Sequence, residues 1–541
     1  VNDNKAPILR SKTYLYLTEF FAGMAVMAVE LGASRLLAPY FSSSQIVWTI
    51  IIATIMIAMA LGNVYGGRSA DRDPNPDRLY RRLLIAAVWI AAIPVLGKYV
   101  ILLVSGALVF TVSHNLLVIA AFLACMVIFV FPCFLLGTVT PSLVKYAVDS
   151  LDASGRTVGN LNAFNTVGSI LGTFLPTFVT IPAVGTAITF LIFSGVILVL
   201  ALVYFISRRA RPMGCAAAAV LFAACAILGH SDSFAFWEKD LTYEGESVYN
   251  YLQVRETDRD VALSTNVLFG IQSVLEKDGR LSGMYYDYAM AAPVMARANG
   301  ADVAQDVLIL GMGTGTYYHQ CDAYFTGFTM TGVEIDQKIT DLAHTYFELP
   351  ADADVVTYDG RAYLAAVDST YDVIMVDAYQ DITIPFQMSS AEFFRLVRDH
   401  LNPGGVMVVN MNMRSGSEGS INEYLQDTIA SVFPSVTTVD VPFYTNRELF
   451  ASDRPVEEEA YLAALAEMAA PLDAARREEL TDFLSAVPDR LTAYTGGDRL
   501  LTDDKAPVEL LGMRVIDEII ADELAYYREK GLAESLKELM G

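Results

Sequence analysis

Residues 308–316 read LILGMGTGT, an apolar run that opens into three glycines, Gly311, Gly313 and Gly315. A buried strand from Asp306, a glycine turn and a helix beginning near Thr316 would bring backbone amides close to a nucleotide-like ligand. Alone, G-x-G-x-G is a weak signal. It gains weight from the acids that follow at the ends of successive apolar runs. FTMTGVEID places Glu334 19 residues beyond Gly315, where a doubly wound fold offers a carboxylate to ribose hydroxyls. DVVTYDG leads to Asp359, YDVIMVDAYQD passes Asp377, and GGVMVVNMN follows a Pro-Gly-Gly turn. Any one of these acids could simply cap the next helix. As a series they point to a ligand at the carboxyl ends of a parallel sheet. NAD and S-adenosylmethionine both suit such a site. The G-x-G-x-G spacing, with an acid after the third strand to meet an adenine amino group, favours the S-adenosyl class.

These pieces sit in one half of an unevenly built chain. At 541 residues, 54% hydrophobic and mean hydropathy +0.40, it is too apolar for an ordinary soluble enzyme. Residues 1–230 carry 15 Lys+Arg against 8 Asp+Glu, whereas residues 231–541 carry 22 against 53. The fold class expected is an N-terminal all-α multi-span membrane domain plus a C-terminal α/β Rossmann-like domain of the S-adenosylmethionine-dependent methyltransferase type, preceded by a small β-subdomain. The boundaries expected are 1–230 for the transmembrane domain, 231–300 for the β-subdomain and linker, 301–455 for the nucleoside-binding catalytic domain, and 456–541 for a helical extension. That extension (EEEAYLAALAEM) has helical amphipathic spacing, which would serve to cover the sheet or to form a homodimer face.

Apolar runs of spanning length lie at about 14–38, 46–66, 83–107, 115–139, 158–181 and 186–206, with a short, alanine-rich seventh at 213–229. No signal-peptidase pattern follows the first run, so it reads as a span and not a removable leader. Basic residues cluster before the first run and after the second, fourth and sixth, which predicts a multi-pass cell-membrane protein with a cytoplasmic N-terminus. If 213–229 crosses fully, the acidic half lies outside; if it does not, that half is cytoplasmic, where adenosyl donors are made, and the reading leans that way. Glu30 is the exceptional ionisable residue within the runs, with Arg35 as its candidate counter-charge. Asn160, Asn162 and Asn165, with VGSILGTF, read as helix packing. Five scattered cysteines make no disulfide framework. No H-x-x-x-H or C-x-x-C pair suggests a metal, so none is expected. The acidic half would repel nucleic acid and attract cations such as polyamines, although plain solubility charge predicts the same excess.

From about 247 to 412 the chain resembles the spermidine synthase (polyamine aminopropyltransferase) family, in the subgroup fused to an N-terminal multi-span membrane domain. The matching pieces are SVYNYLQV, GIQSV, YYDY, the glycine loop, VEID, YDG, and VDAYQD followed by IPFQMSSAEFF. The membrane half (AVELGASRLLAPYFSSSQIVW, ALGNVYGGRSADR) and LLTDDKAPVE, with Asp503 and Asp504, are similar too. The resemblance implies that Gly311, Gly313, Thr314 and Gly315 line the donor, Glu334 holds its ribose, Asp359 and Gly360 its adenine, and Asn250 and Gln272 its thioether side. Asp377 would be the catalytic carboxylate with Tyr286 hydrogen-bonded beside it, and Asp287, Tyr379 and Asp381 would meet the acceptor. A neutral amine attacking the carbon next to a sulfonium needs a carboxylate to orient it and take its proton, with no metal.

The chain also departs from that pattern. Family synthases carry an acid within the loop (G-G-G-D-G) that grips an amino group, and Thr314 stands there. Their acids around the tyrosine reduce here to Asp287 in RLSGMYYDY. Asp381 lies four residues beyond Asp377 instead of three. Three readings stand. One is a membrane-integrated, spermidine synthase-like enzyme that passes an aminopropyl group from decarboxylated S-adenosylmethionine to an amine. Another is a methyltransferase using S-adenosylmethionine itself on a membrane-delivered acceptor. The third is a non-catalytic transporter or sensor with a nucleoside-binding domain.

Overall fold

The computed structural model describes residues 7–10, 12–109, 112, 115–147, 154–230, 234–238, 240–267, 270–378, 384–412 and 414–530. Two compact units divide them. One takes in the described residues up to Trp237 together with Glu244–Tyr251 and those from Leu524 on; the other comprises those within Glu238–Tyr243 and Leu252–Glu523.

The first unit is built from helices α1 (Lys12–Phe41), α2 (Gln45–Arg72), α3 (Pro76–Val109), α4 (Leu116–Gly137), α5 (Val139–Ala147), α6 (Ser154–Leu175), α7 (Ile181–Arg208) and α8 (Pro212–Leu228). Among the described residues, five helical runs are long and apolar enough to cross a bilayer: Lys12–Phe41, Gln45–Arg72, Pro76–Leu108, Leu116–Ala147 and Gly155–Arg208. The expected fifth and sixth spans therefore share one run. Its 54 residues pass through a π turn at Pro176–Thr180 and break at Gly185 (φ 81°, ψ 171°). At 1.5 Å per residue the run is roughly twice as long as one crossing needs. The short α8 has 17 residues. Close packing rests on small residues: a Cβ at Gly168 would stand 1.9 Å from Phe20 O, and one at Gly172 2.2 Å from Met24 O, so α6 lies directly against α1. Arg35 donates to the carbonyls of Ser247 and Val248. The fully buried carboxylate is Glu19, whose Oε1 accepts Thr140 Oγ1 (2.6 Å) and Asn165 Nδ2 (2.9 Å). The pattern drew attention to Glu30 because it lies deeper in an uninterrupted apolar run.

The described strands form two sheets. The strands β1 (Leu241–Glu246), β2 (Tyr251–Glu256), β3 (Asp260–Ser264) and β4 (Ser273–Glu276) form the smaller in that order. The larger contains β5 (Asp306–Leu310), β6 (Thr329–Glu334), β7 (Asp354–Thr357), β8 (Tyr371–Val376), β9 (Leu401–Met411), β10 (Ser435–Asp440), β11 (Arg447–Ser452) and β12 (Thr492–Ala493). Its order is β12-β10-β11-β9-β8-β5-β6-β7, parallel from β7 through β9 and antiparallel beyond. The order reverses between β5 and β8, and such a reversal opens a crevice at the strands' carboxyl ends. The expected Pro-Gly-Gly turn is absorbed into β9 as an irregularity: Leu401 pairs with Tyr371, yet Val406 pairs with Val373. The extra residues sit in the strand instead of preceding it.

Strand residues alternate between two cores, as a period of two requires. Val307, Ile309, Val373, Met375, Val408 and Phe450 face one; Leu308, Leu310, Ile374, Val376, Val409 and Leu449 face the other. Helices α9 (Tyr285–Ala289), α10 (Ala291–Ala298), α11 (Thr316–Tyr324) and α12 (Gln337–Tyr346) follow the first strands, then α13 (Gly360–Ala366), α14 (Ala391–Asp399), α15 (Ile421–Ala430), α16 (Glu458–Ala469), α17 (Ala474–Leu484) and α18 (Val508–Lys530). Tyr461, Leu465 and Met468 of α16 and Leu480 and Leu484 of α17 bury against the first core, so these two helices cover the sheet.

Candidate active site

The glycine loop is held from both sides. Gly311 and Met312 donate to Val333 O (2.9 and 3.1 Å), and Asp377 N donates to Leu310 O (2.9 Å). All three glycines take positive φ, 84°, 58° and 92°, a conformation that costs an L-residue roughly 1–2 kcal/mol. Glu334 ends β6 beneath them. Its Oε2 accepts Gly313 N and its Oε1 accepts Asp336 N, both at 3.0 Å. Burial pushes this carboxyl up to about 7, and the two amides restrain the rise. Lone pairs remain on both oxygens for hydroxyl donors.

Asp377 follows β8 at the point where the strand order reverses. Its Oδ2 accepts Tyr285 Oη and its Oδ1 accepts Asn410 Nδ2, each at 2.8 Å. Asn446 Nδ2 in turn donates to Asn410 Oδ1 at 2.9 Å, which fixes the amide's orientation. Burial raises the Asp377 carboxyl to about 7; the two donated hydrogen bonds lower it, and the Glu334 charge adds to the rise. A carboxylate titrating near neutrality, oriented by two donors and still partly open to solvent, is equipped to accept a proton. Burial also holds the Tyr285 phenol far above its ordinary range, so it stays a donor.

The hydrogen-bonding tyrosine is thus Tyr285, not Tyr286. Tyr286 Oη donates to the Gln272 carbonyl, and the two rings lie 3.9 Å apart between centroids. Neighbouring helical positions point about 100° apart, and nothing in YYDY reveals which of them turns toward β8. Asp287 is buried and turned inward. Its Oδ1 accepts Ser282 N, Ser282 Oγ and Gln320 Nε2, and its Oδ2 accepts Gly283 N. The acid expected to meet the acceptor therefore closes its own turn.

Asp359 Oδ1 caps α13 through Ala362 N (2.8 Å), and Gly360 packs against Leu310 and Met388. Gln272 N donates to Leu263 O, just ahead of Ser273, whose Oγ accepts Thr314 N at 3.2 Å. The Thr314 side chain is 1% exposed, and its hydroxyl lacks a hydrogen-bond partner among the described residues. Asn250 groups with the helical unit, where its backbone N–H donates to Ser247 Oγ. Tyr379 and Asp381 lie outside the described residues. Asp503 forms a bidentate pair with Arg361 (2.7 and 2.6 Å) and accepts Ser390 Oγ, and the Arg361 guanidinium holds its carboxyl at about 2. Two residues of the site escaped sequence reasoning, Tyr285 and Asn410; Ser273 belongs to the GIQSV stretch that carries the resemblance, with no role read for it. Asn410 did leave a signal, as the first polar residue after an apolar strand that runs beside the one ending at Asp377.

The spermine/spermidine synthase domain profile matches residues 285–452, which takes in the glycine loop, Glu334 and Asp377. A probable polyamine aminopropyl transferase of Bifidobacterium longum is 56% identical over 338 residues, covering 61% of this chain and 75% of that protein. A polyamine aminopropyltransferase of Vibrio vulnificus is 25% identical over 289 residues, 51% of this chain and 93% of its own length. Among solved structures, a probable spermidine synthase from Corynebacterium glutamicum aligns with TM-score 0.35 at 21% identity, over 41% of this chain and 86% of that one. Human methyltransferase-like protein 13 in complex with SAH aligns with TM-score 0.30 at 20% identity, over 39% and 94%. With an oriented carboxylate at the strand-order reversal and a relative matched at 56% identity over three quarters of its length, the chain belongs to the spermine/spermidine synthase, or polyamine aminopropyltransferase, family.

Proposed function

We propose that the protein is a membrane-anchored aminopropyltransferase that uses decarboxylated S-adenosylmethionine and an amine acceptor. The observation that carries this reading is Asp377, held by Tyr285 and Asn410 directly beside the glycine loop. The nucleoside lies over Gly311–Gly315, with its ribose hydroxyls on Glu334 and its adenine beside Asp359 and Gly360. Gln272 flanks the thioether. The acceptor's neutral amine attacks the aminopropyl carbon in line with the departing sulfur. A C–N bond forms, the C–S bond breaks, methylthioadenosine leaves, and the amine's proton passes to Asp377. Incubating the purified full-length protein with decarboxylated or intact S-adenosylmethionine and a panel of amines tests this. Mass spectrometry should find an amine heavier by one aminopropyl group, together with methylthioadenosine, from the decarboxylated donor alone. Methylated product from the intact donor would favour the methyltransferase reading instead, for which a loop bearing Thr314 in place of an acid leaves room.

The long apolar helices supply the anchor, with the N-terminus and the catalytic unit on the cytoplasmic side, where the donor is made. The 17-residue, alanine-rich α8 is at the short end of what crosses a bilayer, which favours this side. A cysteine at exposed position 258 (Asp258→Cys) should react with a membrane-impermeant maleimide only after lysis, against the unlabelled wild-type background. Labelling on intact cells would place the catalytic unit outside.

A further inference from the structure

A polar row crosses the large sheet beneath α9. β8, β9 and β11 are neighbours, and the register sets Val376 beside Val409 and Asn410 beside Glu448. Asp377 continues that register by one residue, and its Oδ1 takes the Asn410 amide. Residues in register share a face, so Asp377, Asn410 and Glu448 form one line. It is the face of Met375, Val408 and Phe450, the one that carries Tyr285 and Tyr286. The line starts at Asp377, which keeps an open side, and ends at Glu448, which is 0% exposed.

A carboxyl group in such a place is costly unless something satisfies it. Neither Oε1 nor Oε2 of Glu448 has a hydrogen-bond partner among the described residues. Burial first, and the Asp377 charge second, hold its carboxyl well above the ordinary range, and a buried carboxyl with neither oxygen paired favours the uncharged acid. Its field reaches Tyr317, one turn beyond Thr314, whose own buried hydroxyl is likewise without a partner. The sheet thus holds a buried, unpaired acid and the glycine loop a buried, unpaired hydroxyl.

We propose that Glu448 binds a primary alkylammonium group of the substrates, doing from β11 what a loop acid at position 314 would do. This rests on the aminopropyl-transfer reading. Decarboxylated S-adenosylmethionine ends its transferable arm in such an ammonium, and so does a diamine acceptor. When the ammonium arrives, Glu448 releases its proton to solvent and the resulting carboxylate pairs with the cation; no covalent bond changes. Intact S-adenosylmethionine adds a carboxylate at the end of the same arm, which would meet Glu448 and Asp377 as like charges. One residue would therefore retain the aminopropyl donor and disfavour the intact one.

Calorimetry on the full-length protein in two buffers of different ionisation enthalpy tests this with decarboxylated S-adenosylmethionine and with methylthioadenosine, which carries the nucleoside but no ammonium. Near pH 7 wild type should release at least about one proton more with the first than with the second; the Glu334 contribution is common to both, and Asp377, already about half ionised there, supplies no more than about half a proton. Glu448→Gln should weaken the first about 10- to 100-fold and leave methylthioadenosine unchanged. If proton release and the loss in affinity appear instead when putrescine is titrated onto the methylthioadenosine complex, the ammonium is the acceptor's and the assignment stands. Methylthioadenosine binding with an excess release of no more than about half a proton from either ammonium carrier, which Asp377 alone can supply, overturns the role of Glu448 alone, and the wild-type measurement decides this even if the variant does not fold. Failure of methylthioadenosine to bind wild type would sink the nucleoside site and this inference together.

Discussion

Asp377→Asn lowers kcat by about 10²- to 10⁴-fold, the range for removing a positioned general base, while methylthioadenosine still binds. The pH profile carries the diagnosis. In the free enzyme the Asp377 carboxyl sits at about 7, raised chiefly by burial. The competent form is the carboxylate, so wild-type kcat/KM should fall about tenfold per pH unit below that point. A bound sulfonium beside the carboxylate favours its charged form, so the acid limb of kcat lies at lower pH than that of kcat/KM. Glu334 titrates nearby at about 7, so the limb belongs to the pair until the variant separates them. Tyr285→Phe deletes a hydrogen bond to the charged form and should move the limb to higher pH, while Tyr286→Phe, whose hydroxyl goes to the Gln272 carbonyl, leaves it in place. Stability runs the other way. A carboxyl raised on folding contributes stability below its unfolded pKa and loses it as pH rises through the folded value. Asp377→Asn removes that loss, so at pH 8 the variant should melt no lower than wild type. A variant that keeps wild-type kcat would remove Asp377 from the chemistry.

Unbroken apolar runs made the parallel strands legible, because VLIL and VIMV are buried on both faces and therefore apolar throughout. The acids at their ends stood out against that background. Less legible was anything set by rotation or by pairing between distant segments. Tyr285 and Tyr286 are one residue apart and differ only in helical phase. Asp287 offered a carboxylate by composition, but the turn at Ser282 and Gly283 occupies both its oxygens. Glu448 lies in RELFAS, where a charge next to Arg447 at the start of the strand reads as a solvent-facing position. Only pairing with Asn410 turns it inward. In the helical unit, the apolar count located the runs but could not see that IPAVG bends one long helical run at Gly185 in place of an open loop.

Gly311→Ala should be the most damaging single change in the loop, for a reason that couples stability to the site. Gly311 holds φ 84°, and a Cβ there would stand 2.7 Å from Ala378 N, Ala378 Cα and Asp377 O. Those atoms are backbone, tied to β5 through the Asp377 N to Leu310 O bond, so they cannot turn aside as a side chain would. Left-handed strain of about 1–2 kcal/mol adds to overpacking of about 1–3 kcal/mol, for a loss of roughly 3 kcal/mol and a fall in melting temperature of roughly 5–10 °C. The push falls on the peptide that presents Asp377, so kcat should drop along with methylthioadenosine affinity. Gly313→Ala should be milder, because its Cβ meets the Ser273 hydroxyl at 2.5 Å, an atom that can rotate away at the cost of its bond to Thr314 N. Gly315→Ala meets only flexible ends, Leu349 Cδ1 and Met312 Cε at 3.2 Å, and carries chiefly the φ penalty. Gly416, with open space around it and no positive φ, should accept alanine within about 0.5 kcal/mol. The order 311, 313, 315, 416 in melting temperature is the expected result. If Gly311→Ala melts and turns over like Gly416→Ala, the close approach of the loop to the Asp377 peptide does not hold the site together.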